Sequence, residues 1–246
     1  MQMMRGLPWT VHVNGMTSLA RERNVFSNTS DNTKNHMYMI GILDMPTHTL
    51  GRKMDYLHVW YDHYRFQSGL EEYLGLPCSL VDLLCSIMQP DTEQRLLTWQ
   101  SEAGIAEECA IWDSTRHAGI LMAYNYRIDH VMDGKCCDME LDLIIVSMRH
   151  ILTTVHSLRT KHGTLVPETW SNLFFPLVAA GSLSQALTED DKILIHQSIS
   201  DLENSSLDVC PYYQKASMVL HELWENACGR SIQQMARDLD VEIALF

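Results

Sequence analysis

The sequence predicts an all-α protein, an irregular multi-helix array of packed antiparallel helices in a single domain. Apolar residues recur at three- and four-residue spacing along several long stretches, which is the period of a helix with one buried face. Stretches that alternate as strands do are few and short. The chain has 246 residues, 46% of them hydrophobic, enough to bury one large core. Residues 1–246 are therefore expected to form one domain.

The N-terminal part is expected to be the least regular. Residues 24–35 are rich in Asn, Ser, Thr and Asp, which predicts a loop. Residues 45–52 contain a Pro and a Gly and predict a second break. Residues 9–13 and 241–243 alternate weakly, and each fits a short strand or a helix end equally well.

Helical patterns strengthen in the middle of the chain. The apolar spacing that follows Pro77 predicts a helix that ends before the next proline. Its repeating positions are Leu80, Leu83, Leu84 and Ile87. Asp91 lies three residues before Gln94, a spacing typical of a capping box, so another helix is expected to run through Trp99. The next predicted helix covers residues 114–132.

The clearest helical period lies in the second half of the chain. It consists of Leu141, Ile144, Ile145, Met148, Ile151, Leu152, Val155 and Leu158. This stripe is expected to be buried. Thr188 followed by three acidic residues predicts the start of a further helix. A second stripe predicts a helix that stops at Gly229; it is formed by Ala216, Val219, Leu220, Leu223, Trp224 and Ala227.

The charge of the chain disfavours direct contact with nucleic acid. Its 18 Lys and Arg against 31 Asp and Glu give a formal net charge of -13. Tight DNA binding usually rests on roughly 6–10 cationic phosphate contacts. The densest basic groups are only the pairs Arg21 with Arg23 and Arg52 with Lys53. We therefore expect no direct nucleic-acid binding by this chain.

Cysteine usage indicates a reducing compartment and no zinc cluster. The seven cysteines are mostly scattered through apolar stretches, as reduced core thiols often are. A zinc cluster needs closely spaced thiolates, typically in Cys-x2-Cys pairs, which the sequence lacks. Cys136 and Cys137 are adjacent and are interpreted as loop thiols. The start of the chain has no continuous apolar segment typical of a secretory signal, and apolar runs such as residues 173–180 are much shorter than the roughly 20 residues of a membrane span. No membrane partner is expected.

No catalytic, cofactor-binding or metal site is expected. Nucleophile-elbow, phosphate-loop and dinucleotide-binding motifs are absent from the sequence. Two pairs at i,i+4 spacing, His58 with Asp62 and Asp113 with His117, would each place two metal ligands on one helical face. Because no third ligand is evident, they are interpreted as contacts that stabilise a helix. No cofactor is therefore predicted.

Arg127 is the charged residue that the sequence singles out. It follows Tyr124 and Tyr126 on a predicted helix that otherwise looks buried. Two interpretations remain: a core ion pair, which is favoured because buried charges are normally paired, or a pocket in which the guanidinium reaches an anion. The 15 Met residues likewise fit plain core packing best, with an adaptable ligand pocket or partner groove as the alternative.

Several short motifs follow one another along the chain. They are Trp9-x2-His12-x2-Gly15-x3-Leu19, Gly41-Ile-Leu-Asp44 with Gly51-Arg52, Leu74-Gly-Leu-Pro77, Tyr124-Asn-Tyr-Arg127, Thr169-Trp170 with Pro176-Leu-Val-Ala-Ala-Gly181, Leu220-x3-Trp224 and Leu239-x-Val241-x-Ile243-x-Leu245. In this order they resemble the C-terminal regulatory domain of fungal-specific transcription factors. These proteins pair a helical regulatory domain with an N-terminal binuclear zinc cluster.

This resemblance covers nearly the whole chain and implies a role in transcription regulation in the nucleus, with the cytoplasm as the alternative location. It implies other transcription-regulatory proteins as partners, a small-molecule effector, and no catalytic residues. The zinc cluster and the first helices of the domain are expected to be missing, through either a truncated gene model or a natural regulator without the cluster. Two other classes remain open: a stand-alone helical co-regulator or binding protein, and a helical enzyme with an unrecognised site.

Overall fold

The computed structural model describes residues 8–23, 25, 31–130, 138–163, 171–205, 211–226 and 229–246. Within these ranges the chain forms eleven α-helices and one small sheet, so the all-α prediction is confirmed. The helices are α1 (Trp9–Glu22), α2 (Asp31–Leu43), α3 (Val59–His63), α4 (Cys78–Cys85), α5 (Thr92–Thr98), α6 (Ala106–His130), α7 (Asp138–His162), α8 (Phe174–Gly181), α9 (Glu189–Ser205), α10 (Pro211–Asn226) and α11 (Ile232–Asp238). The strands are β1 (Thr49–Leu50) and β2 (Ile243–Ala244).

The two longest helices, α6 and α7, form the centre of the fold. They pack against each other, α6 also contacts α5 and α8, and α7 also contacts α8 and α9. Burial of the long apolar stripe is confirmed over most of α7, because Ile144, Met148, Ile151 and Val155 are fully buried. Leu141, at the beginning of the stripe, is instead 46% exposed. The apolar period thus places α7 in the core.

The segment Leu141–His162 is also long and apolar enough to cross a membrane, judged by length and composition alone, with a mean hydropathy of 1.2. Ile144, Met148, Ile151 and Val155 of this segment are buried, whereas Leu141 and Val146 are exposed. The segment also carries the basic residues Arg149, His150 and Arg159. A core helix meets the same criterion, so this property assigns no membrane location.

A smaller cluster of buried residues joins the N-terminal helices. Val13 of α1, Ile40 of α2 and Val59 of α3 form its centre. The prediction of a loop over residues 24–35 is wrong from Asp31 onward, where α2 begins. Burial of the later residues of α2, such as Ile40 and Ile42, outweighs the loop-like composition.

The segment that follows α2 pairs in antiparallel fashion with the C-terminal segment. Thr49 lies opposite Ala244 and Leu50 opposite Ile243, and the Leu245 amide donates to the His48 carbonyl over 2.8 Å. Of the two ambiguous stretches, residues 9–13 begin a helix and residues 243–244 form a strand. We call residues 44–59 together with residues 240–246 the terminal junction.

Several helix boundaries differ from those predicted. The helix expected from residue 114 begins at Ala106, because Glu107 and Glu108 occupy its first turn and favour the helix dipole there. The capping box at Asp91 is wrong: its backbone is already helical, and its side chain makes no cap hydrogen bond. Thr188 does cap α9, since its hydroxyl accepts from the Asp191 amide over 3.2 Å.

Some predictions fall on residues outside the described ranges. They are the adjacent cysteines Cys136 and Cys137, the Thr169-Trp170 motif, Ala227 of the second apolar stripe and residues 131–132 of the predicted helix. The rest of that second stripe forms α10, with Ala216, Val219, Leu220 and Leu223 buried. Gly229 follows with the positive φ of 74° typical of a residue beyond a helix end.

Candidate functional site

A buried ion pair organises the loop that follows α2. Arg52 Nη2 lies 2.6 Å from Asp44 Oδ1, and the two side chains are 3% and 1% exposed. The Asp44 carboxylate also accepts from the backbone amides of Leu57 and Val59 at 3.1 Å. The Arg52 guanidinium lies 4.3 Å from the centre of the Tyr56 ring. Together these contacts satisfy both buried charges and fix residues 52–59 in one conformation.

A second carboxylate joins this loop to the C-terminal segment. The Glu242 side chain accepts from the hydroxyl of Thr10 and, over 2.7 Å, from the backbone amide of Lys53. Lys53 Nζ in turn lies 2.7 Å from Asp240 Oδ1. One C-terminal segment therefore holds both α1 and the loop after β1.

Gly51 allows the closest approach within the terminal junction. Its φ is +71°, and a Cβ at this position would lie 2.1 Å from the Val241 carbonyl oxygen. Its amide donates to Gln233 Oε1 over 2.8 Å. Only glycine fits both the conformation and the space. The Gly51-Arg52 motif found in the sequence is thus the turn that brings α11 against the loop.

A pocket lies where this loop meets α6 and α11, and we call it the α6–α11 pocket. Its volume is about 290 Å³. The floor is apolar and is formed by Ile87, Met88 and Met122. The polar walls are formed by Asn125, Tyr126 and Asp129 of α6, by Gln233 and Arg237 of α11, and by the loop residues Lys53, Asp55 and Tyr56. The pocket therefore combines an apolar base with polar groups of both charges.

Two charged groups of the α6–α11 pocket retain binding capacity. Arg237 is exposed and forms no ion pair with any residue that the structure describes. Asp129 accepts from the Ser231 hydroxyl over 2.9 Å through Oδ2, while its buried Oδ1 meets no hydrogen-bond donor within the described ranges. Burial raises the pKa of Tyr56, so its phenol stays protonated. The pocket thus offers a cation, an unsatisfied acceptor and a neutral phenol.

The three residues singled out by the sequence do not share one site. Tyr126 lines the α6–α11 pocket, whereas Tyr124 lines a separate cavity of about 190 Å³ beside α7. Arg127 Nη2 lies 3.0 Å from Glu93 Oε2 of α5, and the Arg127 side chain is 41% exposed. Consecutive helical residues point about 100° apart, so these three diverge toward different neighbours. Arg127 forms its ion pair near the surface and not in the core.

The pocket residues that the sequence reasoning missed are polar pairs one helical turn apart. Asn125 and Asp129 are spaced i,i+4 on α6, and Gln233 and Arg237 are spaced i,i+4 on α11. Such spacing places both members of a pair on one face. This spacing could have been noticed in the sequence. It does not reveal that the two faces, which are more than 100 residues apart in the sequence, lie against each other in the fold.

The two pairs considered as metal ligands have different outcomes. His58 precedes α3 with a φ of 56°, so helical spacing does not apply to His58 and Asp62. Asp113 and His117 do share α6, and His150 of α7 adds a third group, with its Nε2 2.8 Å from Asp113 Oδ2. Burial lowers the pKa of His117 to about 4, so its ring is neutral at pH 7.

Comparisons with protein-family models, with curated proteins and with solved structures find no match to this chain. The similarity to fungal-specific transcription factors therefore rests on the ordered motifs alone. Three of those motifs lie at or beside the terminal junction: the one that begins at Trp9, the Gly51-Arg52 turn, and the one that ends at Leu245. Trp9 contacts His48 with 5.5 Å between ring centroids.

Proposed function

We propose that this chain is a regulatory domain of a fungal transcription factor that responds to a small polar metabolite bound in the α6–α11 pocket. The main support for this proposal is the construction of the pocket. Its walls come from the loop after β1, from α6 and from α11. These three segments are far apart in the sequence. A ligand in the pocket would contact all three at once.

Such a ligand would act on the conformational equilibrium of the terminal junction. A molecule that binds the chain only when the junction is formed stabilises the formed junction. The size of this stabilisation depends on the difference between the affinities for the two states. One lining residue, Lys53, forms an ion pair with Asp240, whose side chain is 65% exposed. Exposed ion pairs contribute only about 0–1 kcal/mol. The Lys53–Asp240 part of the junction is therefore expected to respond to a ligand, while the buried Asp44–Arg52 pair stays in place.

The pocket chemistry favours a zwitterion such as an amino acid. Arg237 suits a carboxylate, Asp129 Oδ1 suits an ammonium or hydroxyl donor, and Met88 and Met122 suit an apolar side chain. Pockets for small molecules usually measure about 300–1,000 Å³. At about 290 Å³, this pocket fits a compact metabolite.

The partners of the proposed domain are other transcription-regulatory proteins in the nucleus, and DNA contact is left to another part of the regulator. The net charge of -13 supports this division, because such a surface repels a polyanion. The proposed domain thus acts through protein contacts.

A tethered reporter assay tests this function. The chain is fused to a heterologous DNA-binding domain, and transcription from the matching promoter is compared with that given by the DNA-binding domain alone. We expect a several-fold increase or decrease in transcription, and we expect the purified chain to leave duplex DNA unshifted at physiological salt. Unchanged transcription, with the fusion present at normal abundance in the nucleus, would refute the proposal.

A further inference from the structure

We propose that Asp113, His117 and His150 form a binding site for a divalent transition-metal ion, with Zn²⁺ as the best fit. Asp113 Oδ2 lies 2.8 Å from His150 Nε2 and 3.9 Å from His117 Nε2, and the three ligand atoms all lie within 4.8 Å of one another. Zinc bonds of 2.0–2.2 Å in tetrahedral geometry place ligand atoms roughly 3.3–3.5 Å apart. Side-chain shifts of about 1 Å would therefore complete the coordination.

The helices hold two of these side chains in place. Asp113 and His117 are one turn apart on α6, so both face α7, which supplies His150. The rings of His117 and His150 lie 4.3 Å apart between centroids, at an angle of 32°. His117 is 7% exposed, which fixes its ring between the two helices. The site is thus largely formed before a metal binds.

Hydrogen bonds at His117 Nδ1 and Asp113 Oδ1, the atoms that do not face the metal, support metal binding. Arg116 Nη2 donates to His117 Nε2, so the ring proton of His117 resides on Nδ1, which is 3.0 Å from Ser147 Oγ. A metal-binding histidine almost always donates a hydrogen bond from its second ring nitrogen in this way. Asp113 Oδ1 is likewise held by Arg116 Nε over 2.7 Å. Ser147 therefore orients His117 from behind, and Arg116 Nε does the same for Asp113.

Arg116 also competes with the metal for one ligand atom. Its Nη2 lies 2.9 Å from His117 Nε2 and would have to withdraw when Zn²⁺ binds. Its Nε contact to Asp113 and its Nη1 contact to the Leu96 carbonyl, at 3.2 Å, do not involve that atom. Because the guanidinium is a rigid plane, withdrawal of Nη2 also shifts these two contacts, so metal binding requires the Arg116 head group to move as a unit. A nearby cation weakens metal binding, so we expect the ion to be bound reversibly.

The site is open on one side. The Asp113 and His150 side chains are 32% and 38% exposed, so water and ions reach them. Three protein ligands leave a fourth tetrahedral position for water or for a group from a partner protein. Imidazole and carboxylate ligands together suit Zn²⁺. A bound ion would join α6 to α7, independently of the α6–α11 pocket.

Titration calorimetry of the full chain with zinc chloride, after removal of metal by a chelator, tests the site. We expect one ion per chain and a Kd at least about tenfold weaker in His150→Gln and in Asp113→Asn, since each loses a direct ligand. His156→Gln is the matched control, because His156 lies exposed on the same helix outside the cluster. Its Kd should equal that of the unsubstituted chain. Circular dichroism confirms that each variant is folded.

Cobalt provides a geometric readout of the same site. Co²⁺ in the unsubstituted chain and in His156→Gln should give the visible absorption bands of a four-coordinate ion, and His150→Gln should lose them. No zinc binding by the unsubstituted chain, or equal Kd values in His150→Gln and His156→Gln, would overturn the proposal. These results do not depend on the tethered reporter, so the two proposals can fail separately.

Discussion

The helical core and the terminal junction are stabilised by different physical means. In the core, apolar residues such as Ile151 and Val155 of α7 are fully buried, and their stabilisation grows with the area removed from water. In the junction, Asp44, Arg52 and Glu242 are buried charges that depend on specific partners. A core position therefore tolerates small changes in shape, whereas a junction position fails when one partner is removed.

This difference bears on the proposed function. The α6–α11 pocket has one wall in the core, on α6, and another in the terminal junction, at residues 46–56. The core wall is rigid because α6 is packed on several sides by α5, α7 and α8. The affinity for a ligand would thus depend on the position of the junction relative to the rigid helix α6. The following predictions test this comparison, beginning with the largest effect.

Asp44→Ala should be the most damaging substitution. It leaves the Arg52 guanidinium buried without its carboxylate, which destabilises proteins by about 3–5 kcal/mol. Urea denaturation followed by circular dichroism measures the free energy of unfolding. Asp238→Ala is the control, because its ion pair with Arg230 is exposed and its loss should cost under about 1 kcal/mol. Equal effects of the two substitutions would show that the junction does not depend on the buried pair.

Gly51→Ala should be next. Placing a side chain on this left-handed backbone costs about 1–3 kcal/mol by itself. The new Cβ must also displace the Val241 carbonyl oxygen, 2.1 Å away. Gly229→Ala separates the two contributions, since Gly229 has a similar φ of +74° and, among the described residues, no contacting atom within 4 Å of its Cβ position. Unfolding in urea should show a clearly larger loss for Gly51→Ala. Similar losses would mean that the close approach of Val241 is unimportant.

His48 should make the junction sensitive to acid. Burial lowers its folded-state pKa to about 3, and its Nδ1 has no hydrogen-bond partner among the described residues. The unfolded chain protonates His48 near pH 6.5, so this residue lowers stability progressively as the pH falls from 6.5 toward 3. The loss amounts to about 2 kcal/mol between pH 7 and pH 5.

Urea denaturation at pH 7 and pH 5 checks this expectation in the unsubstituted chain and in His48→Phe. Phenylalanine keeps an aromatic ring between Trp9 and Phe246, whose rings lie 5.5 Å and 5.9 Å from that of His48. The variant should lose about 2 kcal/mol less stability over this interval. An identical pH dependence in both proteins would contradict the assignment.

Ile151→Val should have the smallest effect. It removes one methyl group from the fully buried stripe of α7, which typically costs about 0.5–1.5 kcal/mol. Val146→Ala on the same helix is the control, because Val146 is 59% exposed and should change stability by less than about 0.5 kcal/mol. A loss above about 3 kcal/mol for Ile151→Val, as expected only for much larger truncations, would show that the core is as intolerant as the junction.

The sequence could predict the core but not the terminal junction. The stripes of α7 and α10 repeat over several turns, so their period alone indicates a buried helical face. The two-residue strands β1 and β2 are too short to show a period, and their pairing joins segments that are far apart in the sequence. The spacing of Asp91 and Gln94 was also insufficient to predict a cap, because the Asp91 backbone is helical and its side chain makes no cap hydrogen bond.

The candidate site was only partly visible for the same reason. The sequence singled out Tyr126, which does line the α6–α11 pocket, and Arg127, which lies beside it on the helix but pairs with Glu93. Arg237 carried no signal of its own, because an exposed arginine in a short helix is ordinary. His150 was hidden as the third member of its cluster because α6 and α7 supply the ligands separately.

Ligand binding to the α6–α11 pocket tests the central claim most directly. Melting temperatures of the chain, of Arg237→Ala and of the control Arg95→Ala are measured with each of the common amino acids and small dicarboxylic acids. Arg95 lies exposed on α5, outside the pocket. We predict that at least one compound at 100 times its Kd raises the melting temperature of the chain and of Arg95→Ala by about 5–10 °C. The rise should be much smaller in Arg237→Ala. An equal rise in Arg237→Ala, or no rise with any compound, would contradict the account.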